Sequence, residues 1–176
     1  MHALHTITPG DHAPDLINTI IEIPKGSHNK YEIDKATGML ILDRVNYSAA
    51  PYHFDYGFVP QTLWEDGDPL DVVVLTTYPL LPGIMLVARP VAVMEMIDAG
   101  ESDFKIIAVP HKDKRFDTVQ DLKDINPHTL KEIQHFFETY KELKGDDTKV
   151  EIKGVKDKSE ALAAITKSIE LYKNKQ

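Results

Sequence analysis

An α+β fold is predicted by the order and spacing of elements along the chain. Six or seven short strand patterns come first, two amphipathic helix patterns come late, and tight turns join the strands. Residues 1–15 carry Pro9, Gly10 and Pro14 and read as an irregular arm. The run 18–23 is strand-like and is closed by Pro24, Lys25 and Gly26. Segments 31–34 and 39–42 flank Lys35-Ala36-Thr37-Gly38, a four-residue hairpin signal. Residues 47–67 read as a long loop rich in Tyr, Phe, His and Pro, and loops of that length tend to be functional.

The run 72–76 is a short apolar strand, and 84–96 a long one interrupted at Pro90, which implies a bulge or an edge position. Another strand spans 105–109. Asn126-Pro127 then opens a helix, with Asn as N-cap and Pro at the first helical position. Its apolar stripe is Leu130, Ile133, Phe136, Phe137, Tyr140 and Leu143. A last strand covers 148–152. Asp157 caps a final helix with Glu160 in the capping-box place, and Leu162, Ile165, Ile169 and Tyr172 form its face. Short strands joined by hairpins and carrying a bulge predict a small closed β-barrel, the OB type among the candidates, with helices packed outside.

The 176 residues are most simply one domain, 1–176, with a substantial core. A hydrophobic content of 42% and a charged content of 27% are those of an ordinary soluble protein. The start shows no basic segment followed by an apolar one, so a cytoplasmic location is expected. With no cysteine, thiolate metal sites and cysteine nucleophiles are excluded. The net charge of −8 argues against a nucleic-acid binder, which would show a basic face. It leaves room for a small anionic substrate, because an acidic pocket loaded with divalent cations is locally positive.

The segment Asp66-Gly67-Asp68-Pro69-Leu70-Asp71 sets three carboxylates immediately before an apolar strand. Two ionised carboxylates ~4 Å apart repel by about 4 kcal/mol at an effective dielectric near 20. Such a cluster calls for cations, or for one group held protonated for chemistry. Oxygen ligands suit Mg²⁺, Mn²⁺ or Ca²⁺ rather than zinc or copper. The EF-hand pattern fails, because Leu70 and Asp71 stand where its third ligand and its glycine belong. An acidic turn before a strand also occurs as plain solvated turn chemistry. A second acidic loop, Asp98 to Asp103 followed by Lys105, could meet the first across a common mouth and hold paired metals for phosphoryl chemistry.

Strand alternation puts Lys30 and Glu32 on one face, while Glu22 stands among Ile20, Ile21 and Ile23; charged residues in such strands usually face solvent. Arg44 suits bidentate phosphate recognition or a pair with Asp43. Phosphate loops, dinucleotide-binding glycine motifs, zinc-protease helices and serine-hydrolase elbows are all absent.

Taken in order, Ile21-Glu22-Ile23-Pro24, Lys30-Tyr31-Glu32-Ile33-Asp34, Asp43-Arg44, Tyr56-Gly57, the 66–72 segment, Val109-Pro110-His111, His135-Phe136-Phe137-Glu138 and Tyr140-Lys141 form a known pattern. Over nearly its whole length the chain resembles the family I soluble inorganic pyrophosphatases of bacterial type; residues 49–55 are less typical of it. The resemblance implies a five-stranded OB-like barrel with flanking helices. It also implies a hydrolase that splits pyrophosphate into two phosphates with several Mg²⁺ ions, Mn²⁺ serving as a substitute, by in-line attack of a metal-activated water. It makes Asp66, Asp71 and Asp103 ligands of the tighter metals, with Asp71 bridging two. Asp98, again with Asp103, would hold a further Mg²⁺ that arrives with substrate, while Glu22 and Glu32 line the pocket. Asp68 would be the general base. Lys30, Arg44, Tyr56, Tyr140 and Lys141 would hold phosphate oxygens, supported by Lys105. A homohexamer is expected by family analogy.

Overall fold

The computed structural model describes residues 3–145 and 149–175. In chain order the elements are α1 (Ala3–Thr6), β1 (Ile17–Ile23), β2 (Asn29–Ile33), β3 (Leu40–Val45), β4 (Asp55–Phe58), β5 (Asp71–Val74) and β6 (Met85–Asp98). They continue with β7 (Glu101–Ser102), β8 (Lys105–Pro110), α2 (Pro127–Thr139), β9 (Val150–Lys156) and α3 (Lys158–Lys175), with three single 3₁₀ turns between β8 and β9. The α+β class is as the sequence predicts. The expected irregular arm contains the one-turn helix α1, and the Thr148 at which the last strand was expected to begin lies outside the described residues. No helix is long and apolar enough to cross a membrane among the described residues.

Seven strands make one sheet. β1 pairs antiparallel with β4, β4 with β5, β5 runs parallel to β8, and β8 pairs with β6, which also carries β7 and β9. β6 pairs again with β1, through Ile17↔Ala88 to Ile20↔Met85, so the hydrogen bonding returns to its starting strand. With 14 residues β6 is long enough to serve β1, β8 and β9, and its register to β8 slips between Pro90 and Ala92, where the sequence anticipated a bulge. β2 and β3 form a separate two-stranded ribbon whose tip is tied by Asp34 N–H to the Met39 carbonyl at 2.8 Å.

The segment expected as a loop at 47–67 contains β4, buried throughout. Four residues including Asp55 and Gly57 carry little strand propensity of their own; β1 and β5 on either side impose the conformation. Only glycine fits at position 57, since a Cβ there would lie 1.8 Å from the Ile20 carbonyl oxygen. Asp55 is buried but satisfied, accepting from Lys25 N–H, Leu80 N–H and the Thr76 hydroxyl. Strand β4 thereby delivers Tyr56 to one mouth of the sheet.

Two large apolar clusters flank the strands, beside a small one of Ile20 and Phe58. One joins Phe54, Tyr56, Val73, Met94, Met96 and Ile107 to Ile133, Phe136 and Phe137 of α2. Asn126 caps that helix by accepting from His128 N–H at 2.8 Å, worth about 1 kcal/mol. The helix ends at Thr139, so Leu143, expected on its stripe, falls beyond it and is 71% exposed. The second cluster lies between the sheet and α3, which packs Ile165 and Ile169 of the expected face inward but adds Ala161, Ala164 and Ser168, leaving Leu162 and Tyr172 half-buried. Small side chains face inward there and let the helix lie close on β6.

Candidate active site

The carboxylate turn is built by local backbone chemistry. Asp66 Oδ1 accepts the Asp68 N–H at 2.9 Å, Gly67 adopts a positive φ of 86°, and the chain then enters β5 at Asp71. The parallel register sets Asp71 beside Lys105. Lys105 is 3% exposed, and its ammonium donates to Asp71 Oδ2 at 2.5 Å and to Asp103 Oδ1. The Tyr56 hydroxyl donates to the same Asp71 Oδ2 at 2.6 Å. Thus the start of β5, the start of β8 and the middle of β4 converge on one point.

Around that point lie two adjoining depressions that share Lys30, Asp68 and Asp71. The first is lined also by Glu22, Glu32, Lys35 and Tyr56, the second by Arg44, Asp66, Asp98, Glu101, Asp103, Tyr140, Lys141 and Lys144. Every site residue anticipated from the sequence therefore faces one continuous cleft, with Lys105 bonded from beneath. Glu22, which alternation would have turned outward, is 8% exposed. Between Ile21 and Ile23 the β1 register to β4 slips, making Glu22 the extra residue of a bulge. Its Oε1 accepts the Ile33 N–H at 2.7 Å, tying the β2–β3 ribbon to the sheet.

Four cations of the cleft lean on acids. Lys30 Nζ bonds Glu32 Oε2 at 2.6 Å and Asp43 Oδ2 at 2.9 Å, Arg44 Nη1 bonds Asp43 Oδ2 at 2.6 Å, Lys35 bonds Asp68, and Lys141 bonds Asp98. Among the described residues, Asp98 Oδ1 is buried and meets no hydrogen-bond partner. Among the described residues no three acidic or imidazole side chains already stand as a ready ligand set, because lysines occupy the spaces between them. The donors still fit a hard divalent cation: they are carboxylate oxygens, and one of them is orphaned.

The electrostatics express the crowding. Burial, helped by Asp103 and Asp71, pushes the Asp66 carboxyl up to about 7 against the pull of the Asp68 N–H and Lys105. Burial also lifts Asp103, with Asp71 and Asp98 adding to it and Lys105 opposing. Burial pushes Glu22 up to about 8. For Lys105, burial alone would lower the ammonium, but Asp71 and Asp103 outweigh it and hold the group well above its ordinary value. Burial raises the Tyr52 hydroxyl to about 12, although Lys30, Arg44 and Lys105 pull it down; its ring packs on Phe136.

A pH prediction follows. A carboxyl whose folded pKa is raised binds more protons folded than unfolded between the two values, so the metal-free fold loses stability as pH rises there. For Asp66 that window runs from 3.8 to about 7, and for Glu22 from 4.5 to about 8. Divalent cations need the ionised groups, so the rise in Tm on adding Mg²⁺ should grow from pH 6 to pH 8. Thermal melts with Mg²⁺ or with a chelator across that range check this; a constant increment would refute it.

Sequence reasoning did not reach Lys35, Glu101 or Trp64. Lys35 looked like turn chemistry, and its contact with Asp68 spans 33 positions with no local signal.

A family model described as inorganic pyrophosphatase matches residues 19–173. The inorganic pyrophosphatase of Thermus thermophilus is 46% identical over 98% of this chain and 99% of its own length. That of Nostoc sp. is 48% identical over 94% of this chain and 96% of its own. A crystal structure of the Thermus thermophilus inorganic pyrophosphatase superposes with a TM-score of 0.94 at 45% identity, covering 97% of this chain and 99% of that one. The Helicobacter pylori structure gives 0.90 at 41% identity, over 96% and 99%.

Proposed function

The chain belongs to the inorganic pyrophosphatase family, and from that premise we propose that its 1–176 domain hydrolyses inorganic pyrophosphate to two orthophosphates with Mg²⁺. One observation carries the reading. The cleft behind Lys30 and Arg44 is lined by six carboxylates against four cations, and Lys105 beneath leaves it net negative when all are ionised. A polyanion is repelled from such a cleft unless divalent cations accompany it. Asp66, Asp71, Asp98 and Asp103 would hold Mg²⁺, which would supply Lewis-acid charge to neutralise phosphate oxygens and acidify water.

The protein's own groups divide the remaining work. Lys30, Arg44 and Lys141 leave their carboxylate partners for phosphate oxygens, and the Tyr56 and Tyr140 hydroxyls orient the phosphate groups. Burial and the nearby acids keep both phenols protonated, so they serve as donors. Asp68 takes the proton of a water that attacks one phosphorus in line. The bridging P–O bond breaks as the new P–O bond forms, and the second phosphate leaves. Lys105 keeps Asp71 and Asp103 together, while Glu22 anchors the ribbon that carries Lys30 and Glu32 holds the Lys30 ammonium. The ring of strand pairing is read as a closed five-stranded OB-like barrel, with β1, β4, β5, β6 and β8 as its staves. A cytoplasmic homohexamer completes the proposal, and exposed Met39, Ile41, Leu42 and Val45 near and along β3 offer surface for subunit contact.

Phosphate release from pyrophosphate by purified protein, with Mg²⁺, with Mn²⁺ and with a chelator, tests the reading. Release that depends on the metal supports it. Metal binding without turnover, or a preference for nucleoside triphosphates, overturns it. Within that assay, Lys30→Ala and Arg44→Ala should each raise KM for pyrophosphate about ten-fold or more, the loss of one charge-assisted contact. Unchanged kinetics in both would discredit their roles.

A further inference from the structure

The chain's one tryptophan stands at the foot of the carboxylate turn. Its backbone closes that turn: Trp64 N–H donates to the Asp68 carbonyl at 2.7 Å, and Gly67 N–H donates to the Trp64 carbonyl at 3.0 Å. Its side chain is 5% exposed and crosses to the other acidic segment. There the indole Nε1–H donates to Ser102 Oγ at 3.2 Å, and the ring lies against Phe104 with centroids 4.9 Å apart. Ser102 and Phe104 are the two chain neighbours of Asp103. Helix α3 backs the arrangement: Leu63 N–H donates to the Ser168 carbonyl at 3.0 Å, and Lys167 sits 4.8 Å from the indole centroid while pairing with Glu65.

We infer that Trp64 is a positioning residue that clamps the Asp66–Asp68 turn against the neighbours of Asp103 and so raises affinity for divalent cations. The inference rests on the proposed reading of the cleft as a Mg²⁺ site. The two acidic segments are far apart in sequence, and their carboxylates repel one another when no cation is bound. Lys105 joins Asp71 to Asp103, but without a second tie the turn that carries Asp66 and Asp68 would relax away from Asp103, and a cation would have to gather them again on binding. A buried indole hydrogen-bonded across the gap places that cost on folding instead, which is the general advantage of a preorganised site. A core tryptophan with no such role would contribute to stability alone.

Magnesium titration of the metal-free, full-length protein by calorimetry separates the two. Trp64→Phe keeps a ring against Phe104 but has no N–H, Ser102→Ala removes the acceptor, and Ser102→Thr restores it. Trp64→Phe and Ser102→Ala should each raise the Mg²⁺ Kd about five-fold, what one neutral hydrogen bond is worth, and Ser102→Thr should stay near the parent. The double variant should bind no more weakly than either single, since both delete the same bond. In chelator the Tm of Ser102→Ala should fall by no more than about 4 °C. Parent-like Mg²⁺ affinity in both Trp64→Phe and Ser102→Ala would overturn the role of Trp64 while leaving the cleft a metal site. A parent protein that binds no Mg²⁺ would remove the proposed function as well.

Discussion

Asp68→Asn is expected to lower kcat by about 10²–10⁴, the usual contribution of a positioned general base, while Mg²⁺ affinity changes by no more than about three-fold. The structure explains why the two effects should separate. Asp68 is bound into its turn only by main-chain groups: its N–H bonds Asp66 Oδ1, and its carbonyl accepts from Trp64. The side chain itself is about half exposed and meets Lys35 at the junction of the two depressions. A carboxamide of the same shape therefore leaves Asp66, Asp71 and Asp103 where they are, but it cannot take a proton from water. Steady-state phosphate release and a Mg²⁺ titration of the same preparation provide the check. Turnover within ten-fold of the parent, or loss of metal binding as large as the loss of turnover, would remove Asp68 from this role.

Much of this was legible in the sequence, and the failures have physical causes. Strands β1, β5 and β8 are apolar runs bounded by turn residues, and both long helices announce themselves by their caps. Strand β4 was hidden because Asp55 and Gly57 have no strand preference; partners far along the chain make it one. Helix α3 and its inward Ile165 and Ile169 were legible, but Ala161, Ala164 and Ser168, which share the contact, were not, because a search for large apolar residues passes over them. Alternation pointed Glu22 outward because an inserted bulge residue reverses the phase and leaves no mark in composition. The acidic turn, by contrast, is legible because its chemistry and its geometry lie in one stretch of six residues. What no local pattern carries is the pairing of that turn with distant cations and with Trp64.

Lys105→Met should be the most destabilising single change in the cleft. Met approximates the length of the lysine stem but leaves Asp71 and Asp103, both largely shielded from water, without their shared ammonium. Removing one partner of a buried ion pair costs about 3–5 kcal/mol, because the remaining charge must be neutralised or hydrated. In chelator at pH 7.5 that corresponds to a fall in Tm of roughly 6–20 °C for a domain of this size. The sign with pH is fixed. Burial already holds the Asp103 carboxyl above its ordinary value, and losing the ammonium that opposes this raises it further, so the deficit is small below about pH 3, where the carboxyl is protonated both folded and unfolded, and grows as pH rises toward neutrality. Divalent cations should recover part of it, since a cation between the two carboxylates replaces the lost ammonium. A metal-free variant that melts within 2 °C of the parent at pH 7.5, or one that Mg²⁺ fails to stabilise more than it does the parent, would show that Lys105 does not hold this cluster together.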